Sequence, residues 1–170
     1  NILIQIGMKF FLTLLAILMS YAAASAQDLK FLGISLEQPQ QAIHEELLNK
    51  GMSDIASNLD GIHMRGDFWK FRNCELAVSG KAGSIVEVKP PSWVTVETMN
   101  DLISSLTHKY GTPDTSQSSD FHQEFIWYIG DNCIVITDLY IDGHNYNIGY
   151  YSKDATRNKI ANTRYYDADL

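Results

Sequence analysis

The stretch FIWYIGDNCIVITDLYI, residues 125–141, decides the fold class. Residues 125–129 and 133–141 are rich in aromatic and β-branched side chains, which favour strands, and the glycine, aspartate and asparagine between them are typical of a turn. Residues 142–145 (DGHN) again have the composition of a hairpin turn, and residues 146–151 return as a third strand. This half of the chain therefore predicts a run of antiparallel strands.

A helix is predicted immediately before these strands. Thr95 is a suitable N-cap, Gly111 a suitable C-cap, and Pro113 prevents further helix. The polar residues 112–120 then predict a loop. The apolar side chains that share one helical face are Val96, Met99, Leu102, Ile103, Leu106 and Tyr110.

The first half of the chain has the same order of elements. A short strand and turn are predicted for residues 29–36, and a helix of about three turns begins at Pro39 and ends at Gly51. A polar stretch, residues 53–61, follows. The strands predicted after it are residues 68–71, which lead into 74–79, and then 85–89, which Pro90 and Pro91 end.

The two halves therefore look like one unit used twice. Cys74 follows the first helix-ending glycine at almost the same distance as Cys133 follows the second, and an asparagine precedes each cysteine. We expect an α+β fold, a tandem repeat of helix plus antiparallel β-strands with the helices packed on one face of the sheet. The repeats would cover about 29–90 and 92–151 within a single domain, 27–151. Residues 152–170 would add one or two helical turns and a polar tail.

Several segments, taken in order, resemble small uncharacterised secreted proteins of Bacteroides-type bacteria. They are the leader, LKFLGISL, LNKGM, GDFWKFRNCELAV and KYGTP. The duplicated helix-then-sheet layout is also similar, in outline, to beta-lactamase inhibitory protein and to small envelope-assembly lipoproteins. The chain lacks the lipid-bearing cysteine of those lipoproteins. The resemblance implies a fold and a compartment, and no chemistry.

The N-terminal segment predicts export. Lys9 precedes the apolar run FFLTLLAILM, residues 10–19, and Ala24-Ser25-Ala26 is the small-x-small pattern that signal peptidases cleave. As a helix the run would be about 15 Å long, half of the roughly 30 Å hydrocarbon core. We therefore expect residues 1–26 to comprise upstream residues and a cleavable signal peptide, and the mature protein to be periplasmic or secreted, without stable membrane insertion. An uncleaved anchor that includes residues 2–6 is the alternative.

The charge balance disfavours some classes of partner. Lys and Arg number 13 against 20 Asp and Glu, a net charge of −7. Because a nucleic-acid binder needs a basic stripe, nucleic acid is not an expected partner. The acidic residues are scattered, which is typical of a solvated surface.

Cys74 and Cys133 allow two interpretations. In an oxidising compartment an even number of cysteines favours a disulfide, and a Cys74–Cys133 bridge would close a long loop. The alternative is that both are small buried apolar residues, since each alternates with aliphatic neighbours in a predicted strand.

No motif predicts a cofactor or a metal site. The sequence has no Cys-x-x-Cys pair, no glycine-rich phosphate loop and no Gly-x-Ser-x-Gly elbow, and its histidines lack the spacing of zinc ligands. Asp138 and Asp142 point to the same side of a predicted strand. With His144 they support an alternative function, that of a small periplasmic hydrolase or other enzyme.

Aromatic side chains suggest binding instead. A sheet covered on one side only would expose its other face, and exposed aromatic rings there would form a binding surface. The candidates are Trp69, Phe71, Trp127, Tyr146 and Tyr150. Tyr146 and Tyr150 are the most plausible exposed pair, and the competing interpretation of all five is core packing. The leading hypothesis is an exported, non-enzymatic binding module for a protein, peptide or glycan. The enzyme is the second hypothesis, and a structural envelope protein is the third.

Overall fold

The computed structural model describes residues 29–59, 61–81, 83–140 and 142–167, with side chains up to residue 161. These residues form a small hairpin, three helices and an eight-stranded antiparallel sheet. The hairpin consists of β1 (Lys30–Phe31) and β2 (Ile34–Ser35), and the helices are α1 (Gln40–Asn49), α2 (Val96–Tyr110) and α3 (Lys153–Asp167). The sheet contains β3 (Ser53–Asn58), β4 (Gly61–Phe68), β5 (Phe71–Ser79), β6 (Ile85–Lys89), β7 (Thr115–Ser119), β8 (His122–Ile129), β9 (Asn132–Tyr140) and β10 (His144–Tyr151).

The strand order in the sheet is β3-β4-β5-β6-β10-β9-β8-β7. Along the chain, helix α1 precedes strands β3–β6 and helix α2 precedes strands β7–β10. The two groups meet in the middle of the sheet, where β6 and β10 pair in antiparallel register, with Ile148 opposite Val88. The predicted mixture of helices and antiparallel strands is confirmed.

The sequence predicted neither edge strand, and of β4 (Gly61–Phe68) it predicted only the last residue as strand. The polar stretch 53–61 contains β3, and the polar loop 112–120 contains β7. Most residues of both strands are exposed, so neither has the alternation of apolar and polar residues that marks a half-buried strand. A polar, short edge is also the arrangement that discourages pairing between molecules.

A hairpin turn interrupts the strand predicted for residues 68–71. Phe68 pairs with Phe71, and Trp69 and Lys70 form the two-residue turn between β4 and β5. The prediction of a continuous strand here is wrong, because aromatic residues with high strand propensity occupy a turn.

The predicted ends of helices α1 and α2 are confirmed. The N–H of Thr98 donates to the hydroxyl of Thr95 at the start of α2, and Gly111 ends the helix with a positive φ of 92°. Pro39 occupies the N-cap of α1, and Gly51 follows that helix with a φ of 87°.

Helices α1 and α2 cover the same face of the sheet. Ile43 and Leu47 of α1 and Met99, Leu102 and Leu106 of α2 are buried. They belong to one continuous core with the apolar side chains on this face of strands β4, β5, β6, β8, β9 and β10. The largest strand side chains of this core are Met64, Phe68, Phe71, Leu76, Trp127, Ile129, Ile134, Ile136, Tyr146, Ile148 and Tyr150.

Helix α3 lies on the opposite face, against the second half of the sheet. The hydroxyl of Thr156 lies 3.5 Å from the sulfur of Cys133, and the ammonium of Lys159 lies 3.3 Å from a carboxylate oxygen of Glu124. The expected packing of helices on one face therefore holds for α1 and α2 but not for α3. The helix is also longer than the one or two turns expected near the C-terminus, since it extends over Lys153–Asp167.

Cys74 and Cys133 are both buried free thiols, and the disulfide interpretation is contradicted. Their strands β5 and β9 are separated by β6 and β10. Three strand spacings correspond to about 14 Å, whereas a disulfide requires Cα atoms within about 7 Å. The two thiols also lie on opposite faces, Cys74 in the main core and Cys133 beneath α3.

Among the residues that the structure describes, no helix is long and apolar enough to cross a membrane. The predicted leader, residues 1–26, lies outside the described residues.

Candidate ligand-binding cleft

A cleft of about 570 Å³ opens between the β1–β2 hairpin, the β4–β5 turn and helix α2. Its volume is within the roughly 300–1,000 Å³ typical of small-molecule sites. The helix contributes one stripe of side chains at helical spacing, from Leu102 through Leu106 to Tyr110. The other lining residues are Lys30, Leu32, Gly33, Phe68, Trp69, Ser105, Lys109 and Tyr150.

Stacked aromatic rings form the floor of the cleft. Phe31, fully buried, stacks on Phe68 with ring centroids 5.5 Å apart and meets the edge of Tyr150 at 5.0 Å. Phe68 also contacts Tyr150 edge-on at 6.0 Å. Burial raises the pKa of the Tyr150 hydroxyl, and nearby Tyr110 adds to the rise. The floor is therefore closely packed, and it is uncharged over the range of pH in which proteins work.

Two bulky residues that line the cleft have backbone conformations that favour other residue types. Leu32 has a φ of 50° and Trp69 a φ of 54°. Positive φ is uncommon outside glycine and is a clear outlier for bulky side chains. Residues held in such conformations cluster at functional sites, where the surrounding structure offsets the strain.

The β8–β9 turn shows what the geometry at Trp69 normally requires. It is also a two-residue hairpin turn in the same sheet, and Gly130, with a φ of 60°, holds its first position. Trp69 holds the first position of the β4–β5 turn. Contacts with its neighbours keep the indole in place, because Lys70 lies over the ring at 4.7 Å and Phe71 meets it edge-on at 5.2 Å.

Positive charge borders the apolar walls. Lys30 and Lys109 both line the cleft and are exposed. The ammonium of Lys109 lies 4.7 Å from the centre of the Tyr110 ring, which holds it beside the cleft. Within the described part of the chain, neither lysine forms an ion pair, on a protein whose net charge is −7.

The structure brings together two of the five aromatic residues proposed from sequence. Trp69 and Tyr150 both line the cleft. Phe71 is fully buried beside it, and Trp127 is 1% exposed. The expectation that Tyr146 and Tyr150 form an exposed face is wrong, because both are at most 9% exposed on the helix-covered face.

A hydrogen bond accommodates Trp127 in the core, and Tyr146 packs there against a neighbouring ring. The indole N–H of Trp127 donates to the carbonyl oxygen of Gly111 at 3.0 Å, which ties β8 to the end of α2. Tyr146 stacks on His144 with ring centroids 5.6 Å apart. Burial, and then the negative charge of Asp138, raise the pKa of Tyr146 to about 12.

Sequence reasoning missed the lysines and the hairpin leucine of this site. Lys30 and Leu32 belong to a hairpin whose strands have only two residues each, too short for a periodic signal. The only sequence signal was the Leu32-Gly33 pair, which indicates a turn. Lys109 lies in the last turn of α2, where the helix dipole alone accounts for a cation.

The proposed enzyme residues converge only in part. The Nδ1 atom of His144 lies 2.6 Å from a carboxylate oxygen of Asp138, whose side chain is 8% exposed. The other carboxylate oxygen of Asp138 accepts from the backbone N–H of Asn145 at 3.1 Å. Asp142 lies in the exposed hairpin turn with a φ of 53°, a conformation that aspartate tolerates. The pair therefore joins the ends of β9 and β10, and none of the three residues lines the cleft.

The uncovered part of the sheet is polar. Opposite α1 and α2, in the first half of the sheet, a depression of about 280 Å³ is lined by His63, Glu75, Leu76, Ala77, Glu87, Lys89 and Asn147. The aromatic surface expected on the open face is therefore absent from this depression, and the aromatic residues lie under the helices instead.

Comparison of the chain with protein families, curated proteins and solved structures found no match.

Proposed function

We propose that the protein is an exported, non-enzymatic binding module, and that the cleft between α2 and the two hairpin turns holds the apolar part of its ligand. The observation that carries this proposal is the placement of Leu32 and Trp69. Both are bulky residues with positive φ, and both line the cleft. A turn optimised for stability alone would hold asparagine or glycine at these positions. Their presence is accounted for if the side chains contact a ligand.

The shape and composition of the cleft support the same proposal. Aromatic and aliphatic side chains give a large contact area with little conformational entropy to lose, because the floor is already packed. The volume suits a small molecule or one large side chain of a peptide.

A neutral environment-sensitive dye, phenylnaphthylamine, tests this proposal directly. We expect its fluorescence to increase on binding to the wild type, and its Kd to rise about tenfold in Trp69→Ala, the loss of one aromatic contact. Trp93→Ala is the matched control, because Trp93 is 57% exposed and does not line the cleft.

A second pair of variants blocks the cleft without removing any wall. Ser105 lines the cleft on the exposed surface of α2, and its neighbour Ser104 is exposed but does not line it. We expect Ser105→Phe to abolish dye binding and Ser104→Phe to leave it unchanged. The assignment of the cleft would be contradicted if Trp69→Ala and Trp93→Ala changed the Kd of the dye equally, and Ser105→Phe and Ser104→Phe did so too.

We also propose that the two halves of the sheet arose as a tandem repeat. The support is the order of elements, since α1 with β3–β6 and α2 with β7–β10 have the same sequence of helix and four strands. Both halves contain a two-residue turn between their second and third strands. The Asn-Cys pairs do not support the repeat, because the two thiols lie on opposite faces of the sheet.

A hydrolase is the second candidate, favoured by the short contact between His144 and the buried Asp138. A buried carboxylate that orients an imidazole is a recurring arrangement for general-base catalysis. Hydrolysis of p-nitrophenyl acetate should then fall to the level of free imidazole in His144→Gln, while His108→Gln keeps the wild-type rate. Equal rates in His144→Gln and His108→Gln would show that the contact between His144 and Asp138 only joins the ends of β9 and β10.

A further inference from the structure

We infer, resting on the proposed function, that the ligand of the cleft is an amphipathic anion. Its apolar body would lie on the aromatic floor, and its anionic head group, a carboxylate or a sulfonate, would pair with Lys30 and Lys109 at the opening.

The positions of the lysines carry this inference. Lys30 extends from β1 and Lys109 from the last turn of α2, so the two ammonium groups come from separate elements that border the same cleft. Among the other described cationic side chains, six have an acidic partner, as in the pairs of Arg65 with Glu75 and Lys70 with Asp101. Lys50, Lys81 and Lys89 also lack a salt bridge to any described residue, so the position of Lys30 and Lys109 beside the cleft is what distinguishes them. Two exposed lysines beside an apolar cleft, without an acidic partner among the described residues, complement a negative charge on a ligand.

The lining groups also favour an anion over a cation. No aspartate or glutamate is among the residues that line the cleft. Of the remaining polar lining side chains, Tyr110 and Tyr150 carry hydroxyls that can donate a hydrogen bond to an oxyanion, while Ser105 donates its hydroxyl proton to the carbonyl oxygen of Asp101 at 2.9 Å. A cationic ligand would meet two like charges at the opening, and a neutral ligand would gain nothing from them.

A pair of dyes that differ only in charge separates the head group from the apolar body. Phenylnaphthylamine is neutral, and its analogue anilinonaphthalenesulfonate carries one sulfonate on the same rings. In Lys30→Gln/Lys109→Gln we expect the Kd of the sulfonate to rise about five- to tenfold, the effect of two partly exposed charge pairs. The Kd of the neutral dye should change less than about twofold, because no Coulomb interaction with a head group is lost.

The control for net charge is Lys81→Gln/Lys89→Gln, which removes two positive charges at positions that do not line the cleft. Lys81 is exposed near the β5–β6 turn, and Lys89 lines the depression on the other face of the sheet. This variant should bind both dyes like the wild type. Raising the salt concentration should weaken binding of the sulfonate in the wild type and not in Lys30→Gln/Lys109→Gln.

The outcomes separate this inference from the proposed function. Suppose that binding of the neutral dye depends on Trp69, but that Lys30→Gln/Lys109→Gln binds the sulfonate as well as the wild type does. The inference of an anionic head group is then wrong, while the assignment of the cleft is still supported. If neither dye depends on Trp69 or Ser105, the cleft itself is wrong. A decanoate titration that displaces the sulfonate dye, with no displacement by decyltrimethylammonium, would extend the result to carboxylates; displacement by both would overturn it.

Discussion

Leu32 occupies a position whose backbone geometry suits asparagine. It forms the two-residue turn between β1 and β2 together with Gly33, and φ is positive at both residues, 50° and 82°. Positive φ at both central residues defines the type I′ turn, for which Asn-Gly is the preferred pair. A leucine in this conformation is destabilising on its own, since left-handed backbone costs about 1–2 kcal/mol for most residues.

Leu32→Asn should relieve backbone strain and impair the cleft. Because the leucine is 37% exposed, the substitution also loses about two-thirds of the burial of a leucine, on the order of 1–2 kcal/mol. Leu48→Asn is the control, because Leu48 is 39% exposed within α1 and the substitution loses a similar burial without relieving strain. We therefore expect the free energy of unfolding of Leu32→Asn to lie about 1–2 kcal/mol above that of Leu48→Asn in urea, and the Kd of phenylnaphthylamine to rise in Leu32→Asn. Equal free energies of unfolding in the two variants would contradict the strain at Leu32.

The two cysteines give a second prediction at the residue scale. Burial raises the pKa of Cys74 to about 11 and raises that of Cys133, so that both thiols stay protonated and unreactive in the folded state. Thiol titration without reductant should find two free thiols in denaturant and slow labelling in the native protein at pH 8. Zero thiols in denaturant would indicate a disulfide and would contradict the placement of Cys74 and Cys133 on opposite faces.

The sequence predicted neither the length of helix α3 nor the face of the sheet on which it packs. The start of this helix lies against the segment after β5, where a Cβ added to Gly83 would clash with the backbone nitrogen of Ala155. Neither atom belongs to a flexible side chain that could move aside. The N–H of Lys153 also donates to Glu37 at 2.9 Å, which joins the helix to the segment before α1.

Gly83→Ala should therefore unfold or displace α3. We expect it to cost about 1–3 kcal/mol more than Gly143→Ala, the range for forcing extra volume into a packed site. The comparison is matched, because φ is positive at both glycines, 92° and 111°, while a Cβ at Gly143 meets nothing within 4 Å. Chemical denaturation of both variants measures the difference, and equal losses would show that α3 does not pack tightly there.

The sequence determined some elements more securely than others. Helix α2 was predicted with both ends, because Thr95 and Gly111 make local hydrogen bonds that depend on adjacent residues only. Strands β3 and β7 were missed because they lie at the edges of the sheet, where no face needs apolar residues. The turn at Trp69 could not be predicted, because a tryptophan is not the residue type that its positive φ of 54° favours.

The candidate site was harder to predict than the fold, for a related reason. Two of its walls come from short turns and the third from a helix distant in sequence, and periodic patterns carry no information about which turns meet. Two of the five aromatic candidates, Trp69 and Tyr150, line the cleft, and the depression on the open face of the sheet is polar. The covered face holds Phe71, Trp127 and Tyr146 because large rings fill the space under α1 and α2.

The whole molecule depends on β10, the strand at the middle of the sheet. It pairs with β6 on one side and β9 on the other, and so connects the two groups of four strands. Tyr146, Tyr150 and Tyr151 all belong to this strand, and burial raises the pKa of each hydroxyl, that of Tyr146 to about 12. In the unfolded chain tyrosine titrates near pH 10.

Stability should therefore fall at alkaline pH, and the sign follows from the direction of these shifts. A folded-state pKa above the unfolded value means that the folded protein keeps protons that the unfolded chain loses. The stabilisation is complete below about pH 10 and is lost as pH rises through about 10 to 12, by up to about 1.4 kcal/mol per pH unit for each tyrosine. Urea unfolding from pH 8 to 11.5 should show this fall. Tyr146→Phe should make the fall with pH less steep, by the contribution of one proton.

Because β10 joins both halves of the sheet, the loss should appear as one cooperative transition in which α2 and α3 unfold together. A free energy of unfolding that stays constant to pH 11, or separate transitions for the two halves, would contradict a single core built around this strand.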